Sequence, residues 1–364
     1  MKKFDFVLLI SVILLIIFGI VMIYSASSIW AEYKFNDSFH YIKQQGAFAI
    51  VGLILLYFIS KIDYNIYFKR ANLILGICFI LLILVIIPGI GSVRNGSRSW
   101  FGIGPFGIQP SEFAKLGLII FSSKYLSQSN KFLKSYKYGV FPILFIALVF
   151  FGLIMLQPDL GTGLVLIVSI IALLFVAGVN MKFFIGAFIL GVIGVVILVI
   201  IAPYRMDRIT SFVDPWKDPL GTGFQIIQSL YAIGPGGLLG RGFSKSIQKH
   251  FYLPEPQTDF IFSIISEEFG IMGVIIVVGL FAILLYRGIK IALNCKDSFG
   301  KYLAFGMIFQ IIFQALMNLM VVIGLIPVTG VTLPFLSYGG SSLLITMVSM
   351  GILLNISRTK STSL

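Results

Sequence analysis

The chain has 364 residues, of which 58% are apolar and 11% are charged. Soluble domains carry about 25% charged residues, so this composition excludes a soluble protein and indicates an integral membrane protein. The 27 lysines and arginines outnumber the 14 acids and give a formal net charge of +13. We assign much of this excess to membrane topology and not to nucleic-acid binding.

Ten apolar stretches are candidates for membrane-spanning helices. A helix rises about 1.5 Å per residue, so roughly 20 residues cross the hydrocarbon core of a bilayer, and the sequence lacks the short alternating segments of a membrane barrel. We therefore predict an all-α integral membrane protein with about ten transmembrane helices in one domain, 1–364. In chain order the stretches are 6–27, 46–60, 71–90, 111–127, 138–157, 162–179, 183–203, 259–286, 301–326 and 337–356.

The first stretch follows Met1, Lys2 and Lys3 and resembles a signal peptide. It is too long for the apolar region of a signal peptide, and no convincing small-residue cleavage site follows it, so we interpret it as a retained first helix. Lys and Arg are concentrated in the short loops that are cytoplasmic if the N-terminus lies inside. Both termini are therefore predicted to be cytoplasmic, with one long extracytoplasmic loop, 204–258, between helices 7 and 8.

The long loop contains two local patterns. Residues 221–232 place apolar side chains along one face of a short helix, which predicts a helix lying on or dipping into the membrane interface. The glycine-rich run 234–242 lacks the Gly-Lys-Ser/Thr ending of a phosphate-binding loop. We interpret this run as a flexible or re-entrant turn.

Few residue types are available for catalysis. The two cysteines, Cys78 and Cys295, fall in the third span and in a cytoplasmic loop, so neither a disulfide nor a metal site is expected from them. The two histidines, His40 and His250, fall in outer loops. Catalysis therefore has to depend on carboxylates, Lys and Arg. A divalent cation stays an open option, and no organic cofactor is expected.

Three short motifs, residues 109–112, 157–159 and 256–259, pair an acid with Gln or Pro at the outer end of a predicted helix. The ordinary role of such an acid, with Ser111 or Thr258 as N-cap, is to stabilise the helix terminus by about 0.3–1 kcal/mol. Capping does not require three acids to lie at one depth on one side of the membrane. The motifs therefore also indicate a shared polar site.

Several charges fall inside the predicted spans. Lys115 follows Glu112 by one turn, and charges within a membrane are costly, at least ~2.5–3.5 kcal/mol at its centre, and usually functional. We favour an ion pair between these two residues, and contact of Lys115 with a diphosphate is the alternative. Further along the eighth span, Glu267 is interpreted either as a packing residue or as a cavity lining, and Glu268 as a packing or helix-pairing residue.

Four arginines lie near the outer face. Arg94 and Arg98 occupy a short loop before the fourth span, and Arg205 and Arg208 follow the end of the seventh. Arg is suited to bidentate phosphate contact. Anchoring at the membrane interface is the alternative.

Five motifs, in order along essentially the whole chain, resemble the shape, elongation, division and sporulation (SEDS) family. They are residues 95–100, 109–116, 157–163, 254–260 and 324–342, the last preceded by Asn318, and they are most similar to the division and sporulation branch. The resemblance implies a ten-helix peptidoglycan glycosyltransferase of the bacterial cytoplasmic membrane. It would polymerise lipid II at the outer face beside a class B penicillin-binding transpeptidase and other divisome proteins, with no nucleic-acid partner.

The resemblance also implies residue roles. Asp259 matches the essential acid of the family, and Glu112 and Lys115 match its ion pair beside the central cavity. We add Asp159 to this supporting set. The candidates for binding the diphosphate or sugar are Arg94, Arg98, Arg205, Arg208, Gln109, Gln257 and Ser341.

Two roles are open for Asp259. As a general base it would take the proton of the acceptor sugar hydroxyl. Its ordinary pKa near ~3.9 is low for that role, although partial burial would raise it. As a metal ligand it would hold Mg²⁺ or Mn²⁺, which would neutralise the diphosphate leaving group.

Two alternative functions would also suit a membrane protein with charges inside its spans. A lipid II flippase needs polar access from both faces and often shows repeat symmetry, whereas the acids gather near one face and no repeat is found. A non-catalytic divisome scaffold leaves the grouping of Asp259, Glu112 and Lys115 without a reason.

Overall fold

A computed structural model describes residues 4–94, 96–102, 107–128, 136–201 and 203–358. Apart from one antiparallel hairpin, β1 (Ser92–Arg94) and β2 (Ser97–Trp100), its regular structure is helical. The α-helices are α1 (Phe6–Phe35), α2 (His40–Ile59), α3 (Asn65–Ile86), α4 (Pro110–Gln128), α5 (Phe141–Met155), α6 (Leu160–Val176), α7 (Met181–Ile201), α8 (Pro203–Val213), α9 (Phe224–Ile233), α10 (Ile261–Leu293), α11 (Ser298–Val322) and α12 (Gly340–Ser357).

Each of the ten predicted stretches overlaps one of these helices. Within the described residues, eight helices have the length and hydropathy needed to cross a membrane. The other two stretches correspond to α6, which has 17 residues, and to α4, which carries Glu112 and Lys115 near its start. The chain is therefore a multi-pass helical membrane protein, as its composition predicts.

Helix α4 lies inside the bundle. It packs against α3, α6 and α11, and most of its side chains are buried. Around it, α12 packs on α2, and α10 packs on α1 and α11. The charged first turns of α4 are thus surrounded by protein, which is where charges inside a membrane are tolerated.

The predicted outer loop 204–258 is folded rather than extended. It begins with α8, which the sequence did not predict, and it contains α9 close to the predicted interfacial helix. Helix α9 packs on α10 and α11, because the Ser229 Oγ lies 2.7 Å from the Ser263 Oγ and donates to the Val322 carbonyl at 2.7 Å. The loop is therefore part of the helical bundle.

Helix α10 is interrupted at Gly270. Its backbone there (φ 59°, ψ −152°) is one that glycine adopts readily and other residues do not. An unbroken helix would pair the Glu267 carbonyl with the Ile271 N–H and the Glu268 carbonyl with the Met272 N–H. The break frees these four groups, and buried main-chain groups need partners.

The glycine-rich segment, residues 234–242, supplies all four partners. The N–H groups of Arg241 and Gly242 donate to the two freed carbonyls at 2.9 Å each. The carbonyls of Gly237 and Leu238 accept from the two freed N–H groups at 2.9 and 3.2 Å. The segment is therefore a turn that folds back onto α10 and completes the broken helix.

The two acids beside the break bind the loop as well. Glu268 is fully buried, accepts from the Ser25 Oγ of α1 at 2.6 Å and pairs with Lys249 at 3.4 Å. Glu267 accepts from the Ser246 Oγ at 2.5 Å. Glu268 thus pairs α10 with α1, while Glu267 packs α10 against the loop.

Candidate active site

The first two turns of α4 carry a buried ion pair. Glu112 and Lys115 are 5% and 2% exposed, and the Lys115 Nζ donates to the Glu112 Oε1 at 2.8 Å. The same Nζ donates to the Gln314 Oε1 of α11 at 2.7 Å. Both contacts of the ammonium are with buried protein oxygens, so the structure favours the ion pair over a diphosphate contact for Lys115.

The helix starts differ from the predicted caps. Helix α4 begins at Pro110, and proline is favoured at a first helical position. Ser111 therefore lies inside the first turn, and its buried Oγ has no partner among the described residues. Helix α10 begins at Ile261, so Thr258 lies outside it. Both predicted N-caps are wrong.

Asp159 connects the second motif to the first. It caps α6, because its Oδ1 accepts from the Thr162 N–H at 3.0 Å. Its Oδ2 accepts from the Gln109 Nε2 at 3.1 Å, and the Gln109 N–H donates to the Ser341 Oγ at 3.1 Å. Burial raises the pKa of the Asp159 carboxyl, and the Thr162 hydrogen bond opposes that rise. Gln109, Asp159 and Ser341 thus lie together.

Asp259 stands two residues before α10 and is half-buried. Its Oδ1 accepts from the Thr258 Oγ1 at 3.0 Å. Burial raises the pKa of the Asp259 carboxyl, while the Thr258 hydrogen bond and the positive charge of Arg208 act in the opposite direction. A carboxyl whose pKa lies above its ordinary value is better suited to act as a base near neutral pH.

The segment 328–341 joins the Asp259 region to the other two motifs. The Asn318 Nδ2 donates to the carbonyls of Asp259 and Val331 at 2.6 and 2.8 Å. The Tyr338 N–H donates to the Gln257 carbonyl at 2.8 Å. Because the same segment ends at Ser341, beside Gln109, the three motifs belong to one hydrogen-bonded cluster, as expected from their common side.

Several buried polar atoms of this cluster have no protein partner among the described residues. Buried polar groups are almost always hydrogen-bonded to protein or water, so these atoms indicate a place where water or a ligand binds. Four of the five residues fall in the motifs that the sequence singled out. The atoms belong to Ser111, Gln157, Gln257, Asn318 and Thr329.

The hairpin β1–β2 carries two of the candidate arginines. The Arg94 guanidinium stacks 5.0 Å from the centre of the Trp100 ring, and its charge opposes the burial that raises the pKa of Tyr338 to about 12. Arg98 lies on β2 opposite Val93 and is half-buried. The hairpin therefore places Arg94 beside the 328–341 segment.

The other two candidate arginines both lie on helix α8 but make different contacts. Arg205 is buried and donates to the Leu198 carbonyl at 2.8 Å, which ties α8 to the end of α7. Arg208 is exposed, donates to the Val328 carbonyl at 3.1 Å and acts on the Asp259 carboxyl. The structure thus brings Arg208 to the site, while Arg205 makes an anchoring contact.

Asp259 is also the position predicted to hold a divalent cation if one binds. Within the part of the chain that the structure describes, no group of three His, Cys, Asp or Glu residues is suited to holding a metal. Mg²⁺ is often held by one or two carboxylates together with substrate phosphates and water. The Asp259 carboxylate and the unpartnered Gln257 Oε1 are hard oxygen donors of that kind.

Gln314 was missed by sequence reasoning. It lies one helical turn before Asn318 on α11, and amides at a four-residue spacing share one face of a helix. Together with Gln310, one turn earlier, they put three amides on one face of a mostly apolar helix, which is a signal for hydrogen bonding between membrane helices. That pattern was available from the sequence.

Sequence comparisons with known proteins identify one family. Residues 5–362 match the FtsW, RodA and SpoVE family, described as cell cycle proteins. Stage V sporulation protein E of Bacillus subtilis (strain 168) is 54% identical over 97% of both chains. A probable peptidoglycan glycosyltransferase FtsW of Geobacter sp. (strain M18) is 43% identical over 98% of this chain and 97% of its own.

Solved structures share the fold over the full length. A chain from a structure entitled "Structural coordination of polymerization and crosslinking by a peptidoglycan synthase complex" has a TM-score of 0.81 and 33% identity, covering 100% of both chains. The rod shape determining protein RodA of Thermus thermophilus has a TM-score of 0.74 and 29% identity, covering 99% of both.

Proposed function

The chain belongs to the FtsW, RodA and SpoVE family, and on that premise we propose that it is a peptidoglycan glycosyltransferase that polymerises lipid II at the outer face of the bacterial cytoplasmic membrane. Its FtsW relatives carry that enzymatic name, and its likeness to stage V sporulation protein E supports a role in septal or spore wall synthesis. The observation that carries the proposal is the hydrogen-bonded cluster joining Asp259, the Glu112–Lys115 pair and Asp159.

The reaction joins the growing glycan to the next disaccharide. The 4-hydroxyl oxygen of the acceptor attacks the anomeric carbon of the donor glycan, and the bond from that carbon to the diphosphate oxygen breaks. Asp259 takes the proton of the hydroxyl as the new bond forms, and undecaprenyl diphosphate leaves with the bonding electron pair. Burial of Asp259 supports this role because it raises the pKa of the carboxyl toward the working pH.

The leaving diphosphate requires neutralisation rather than protonation. Arg208 and Arg94 are the cations beside Asp259 and the 328–341 segment, and guanidinium groups bind phosphate oxygens in pairs. Lys115 is engaged by Glu112 and Gln314, so it supports the cavity. If Mg²⁺ or Mn²⁺ binds, Asp259 would hold it and the cation would supply further neutralisation of the diphosphate.

The partner is proposed to be a class B penicillin-binding transpeptidase, with other divisome proteins assembling around the pair. The support is the likeness to a chain from a peptidoglycan synthase complex in which polymerisation and crosslinking are coordinated. A transpeptidase acting outside the membrane would receive each glycan strand directly if polymerisation also occurs on that side.

The test is polymerisation of lipid II by the purified complex with its transpeptidase. We expect glycan strands from the parent and none from Asp259→Asn, while Asp207→Asn, which changes an exposed acid of α8, behaves as the parent. Strands of normal length from Asp259→Asn would overturn the catalytic assignment. Transfer of lipid II across vesicles without polymer would favour a flippase.

The metal role is tested on the same complex. EDTA followed by Mn²⁺ or Mg²⁺ should abolish and then restore polymer if a cation participates. Unchanged activity in EDTA would remove the metal-ligand role and leave Asp259 as the base.

A further inference from the structure

Two amide side chains of α11 reach the two charged parts of the candidate site. Gln314 and Asn318 are one turn apart and both buried. Unpaired amide N–H groups are costly inside a membrane protein, and the side-chain nitrogens of both residues donate hydrogen bonds here. Gln314 contacts the Lys115 ammonium, and Asn318 contacts the main chain of Asp259.

Asn318 uses both of its hydrogens on main-chain carbonyls. Its Nδ2 lies 2.6 Å from the Asp259 oxygen and 2.8 Å from the Val331 oxygen. These distances also fix the orientation of the amide, because a flipped side chain would place its oxygen against two carbonyl oxygens. A single residue of α11 therefore clamps the chain at Asp259 to the 328–341 segment.

Gln314 makes the matching contact with the next residue of that segment. Its Nε2 donates to the Thr332 carbonyl at 3.1 Å, while its Oε1 accepts from Lys115 at 2.7 Å. Val331 and Thr332 are adjacent, so α11 holds both ends of a continuous chain of contacts. That chain runs from the Glu112–Lys115 pair to the backbone of Asp259.

Asn318 holds the main chain at Asp259 from a separate helix. Asp259 precedes α10 and lies outside its regular hydrogen bonding, and its side chain is steadied by the neighbouring Thr258. A general base must lie within about 2.6–3.2 Å of the proton it takes, and a displacement of about 1 Å costs on the order of 100-fold in rate.

We propose that Asn318 is a positioning residue for the transferase reaction. It fixes the position of the Asp259 carboxyl by holding the Asp259 main chain, and Gln314 fixes this position relative to the Glu112–Lys115 pair. The inference rests on the proposed function. Asn318 does not touch substrate in this role, so its loss lowers kcat and leaves KM for lipid II nearly unchanged.

The chain offers a matched control in α12. Asn355 is also a buried asparagine, 8% exposed against 1% for Asn318. It likewise joins separate elements, since its Nδ2 donates to the Ser60 carbonyl at 2.9 Å and its Oδ1 accepts from the Tyr64 N–H at 3.0 Å. Ser60 and Tyr64 lie in the α2–α3 connection, on the predicted cytoplasmic side. Replacing Asn355 therefore measures the effect of losing a buried amide that does not contact Asp259.

The experiment measures kcat and KM for lipid II with the parent complex and with Asn318→Asp, Asn318→Ser and Asn355→Asp. Asn318→Asp keeps the shape and removes both donors, and we expect kcat to fall about 10- to 100-fold with KM within about threefold. Asn318→Ser retains one donor, so its kcat should lie between those of Asn318→Asp and the parent. Asn355→Asp should lose thermal stability while its folded fraction keeps the parental kcat.

Two results would overturn the inference. One is a loss of kcat in the folded fraction of Asn318→Ser or Asn318→Asp no larger than in Asn355→Asp. The other is an effect confined to KM. If Asn318→Asp does not fold, Asn318→Ser decides the question by the same kcat comparison. If the parent makes no polymer, or Asp259→Asn polymerises normally, the proposed function itself fails, and that outcome is recognised before any Asn318 variant is compared.

Discussion

Replacing Gly240 by alanine tests the docking of the glycine-rich segment into α10. Gly240 has a φ of +75°, and a Cβ added there would overlap the Glu268 carbonyl and lie 2.5 Å from the Phe269 nitrogen. Non-bonded heavy atoms prefer about 3.5 Å or more, so the segment has to withdraw by about 1 Å. That movement lengthens the 2.9 Å hydrogen bonds from Arg241 and Gly242 beyond a useful distance.

The expected magnitude follows from these contacts. A left-handed backbone costs alanine about 1–2 kcal/mol, and each of the two weakened hydrogen bonds is worth about 0.5–1.5 kcal/mol. We expect Gly240→Ala to lower the free energy of unfolding by about 2–5 kcal/mol. Gly242→Ala is the control, because its φ is +101° but its nearest contact would be the Lys245 side chain at 3.5 Å. It should lose only the conformational part.

Unfolding in detergent can be followed by tryptophan fluorescence, since the Trp30 ring packs 5.6 Å from Phe251 of the outer loop. Hydrogen exchange supplies the local readout, because the Ile271 and Met272 amides are protected by the docked segment. Exchange at these amides should rise in Gly240→Ala and not in Gly242→Ala. Equal stability loss in the two variants, with unchanged exchange at Ile271, would refute the reasoning.

Three further outcomes are expected. Asp259→Asn should be more stable than the parent at pH 7, because burial raises the pKa of the carboxyl and disfavours its charged form; the difference should shrink as pH falls below that raised pKa and vanish near the ordinary pKa of an aspartate, and a constant difference in melting temperature would contradict this. Lys249→Met strips fully buried Glu268 of its cation and should cost about 3–5 kcal/mol; adding Glu268→Leu should recover most of the loss in a double-mutant cycle. Lys115→Met should be less stable than Glu112→Gln in thermal melts, because Lys115→Met leaves the buried Glu112 without its cation, whereas in Glu112→Gln the Lys115 ammonium keeps its Gln314 contact. The reverse order would argue against Lys115 as the main partner of Glu112.

The helical architecture and the common side of the acids could be predicted from the sequence because both depend on local patterns. Apolar length places the helices, and the distribution of Lys and Arg orients them. Cap positions were less predictable. Thr258 is a residue type that is favoured at N-caps, yet helix α10 begins at Ile261. The chain just before the helix is held at Asp259 by Asn318 from another helix.

The structure of the outer loop could not be predicted, because its partners are distant in the sequence. The break at Gly270 is stable only with the glycine-rich segment in place, and the burial of Glu268 depends on Ser25 of α1 and Lys249 of the loop. The outer turns of α1 extend to Phe35, beyond its apolar stretch, because Trp30 and Tyr33 pack against Phe251. A local hydropathy pattern contains none of this information.

The broken helix limits where the protein can be extended for experiments. A fluorescent or affinity tag inserted between residues 234 and 249 would pull apart the segment that completes α10, so it would act as a deletion of part of the bundle. Leu220, 88% exposed in the turn between α8 and α9, offers a different insertion point, since exposed turns accept added chain with little cost. Labelling at Leu220 would leave the α10 break undisturbed and report on the predicted outer loop of a working enzyme.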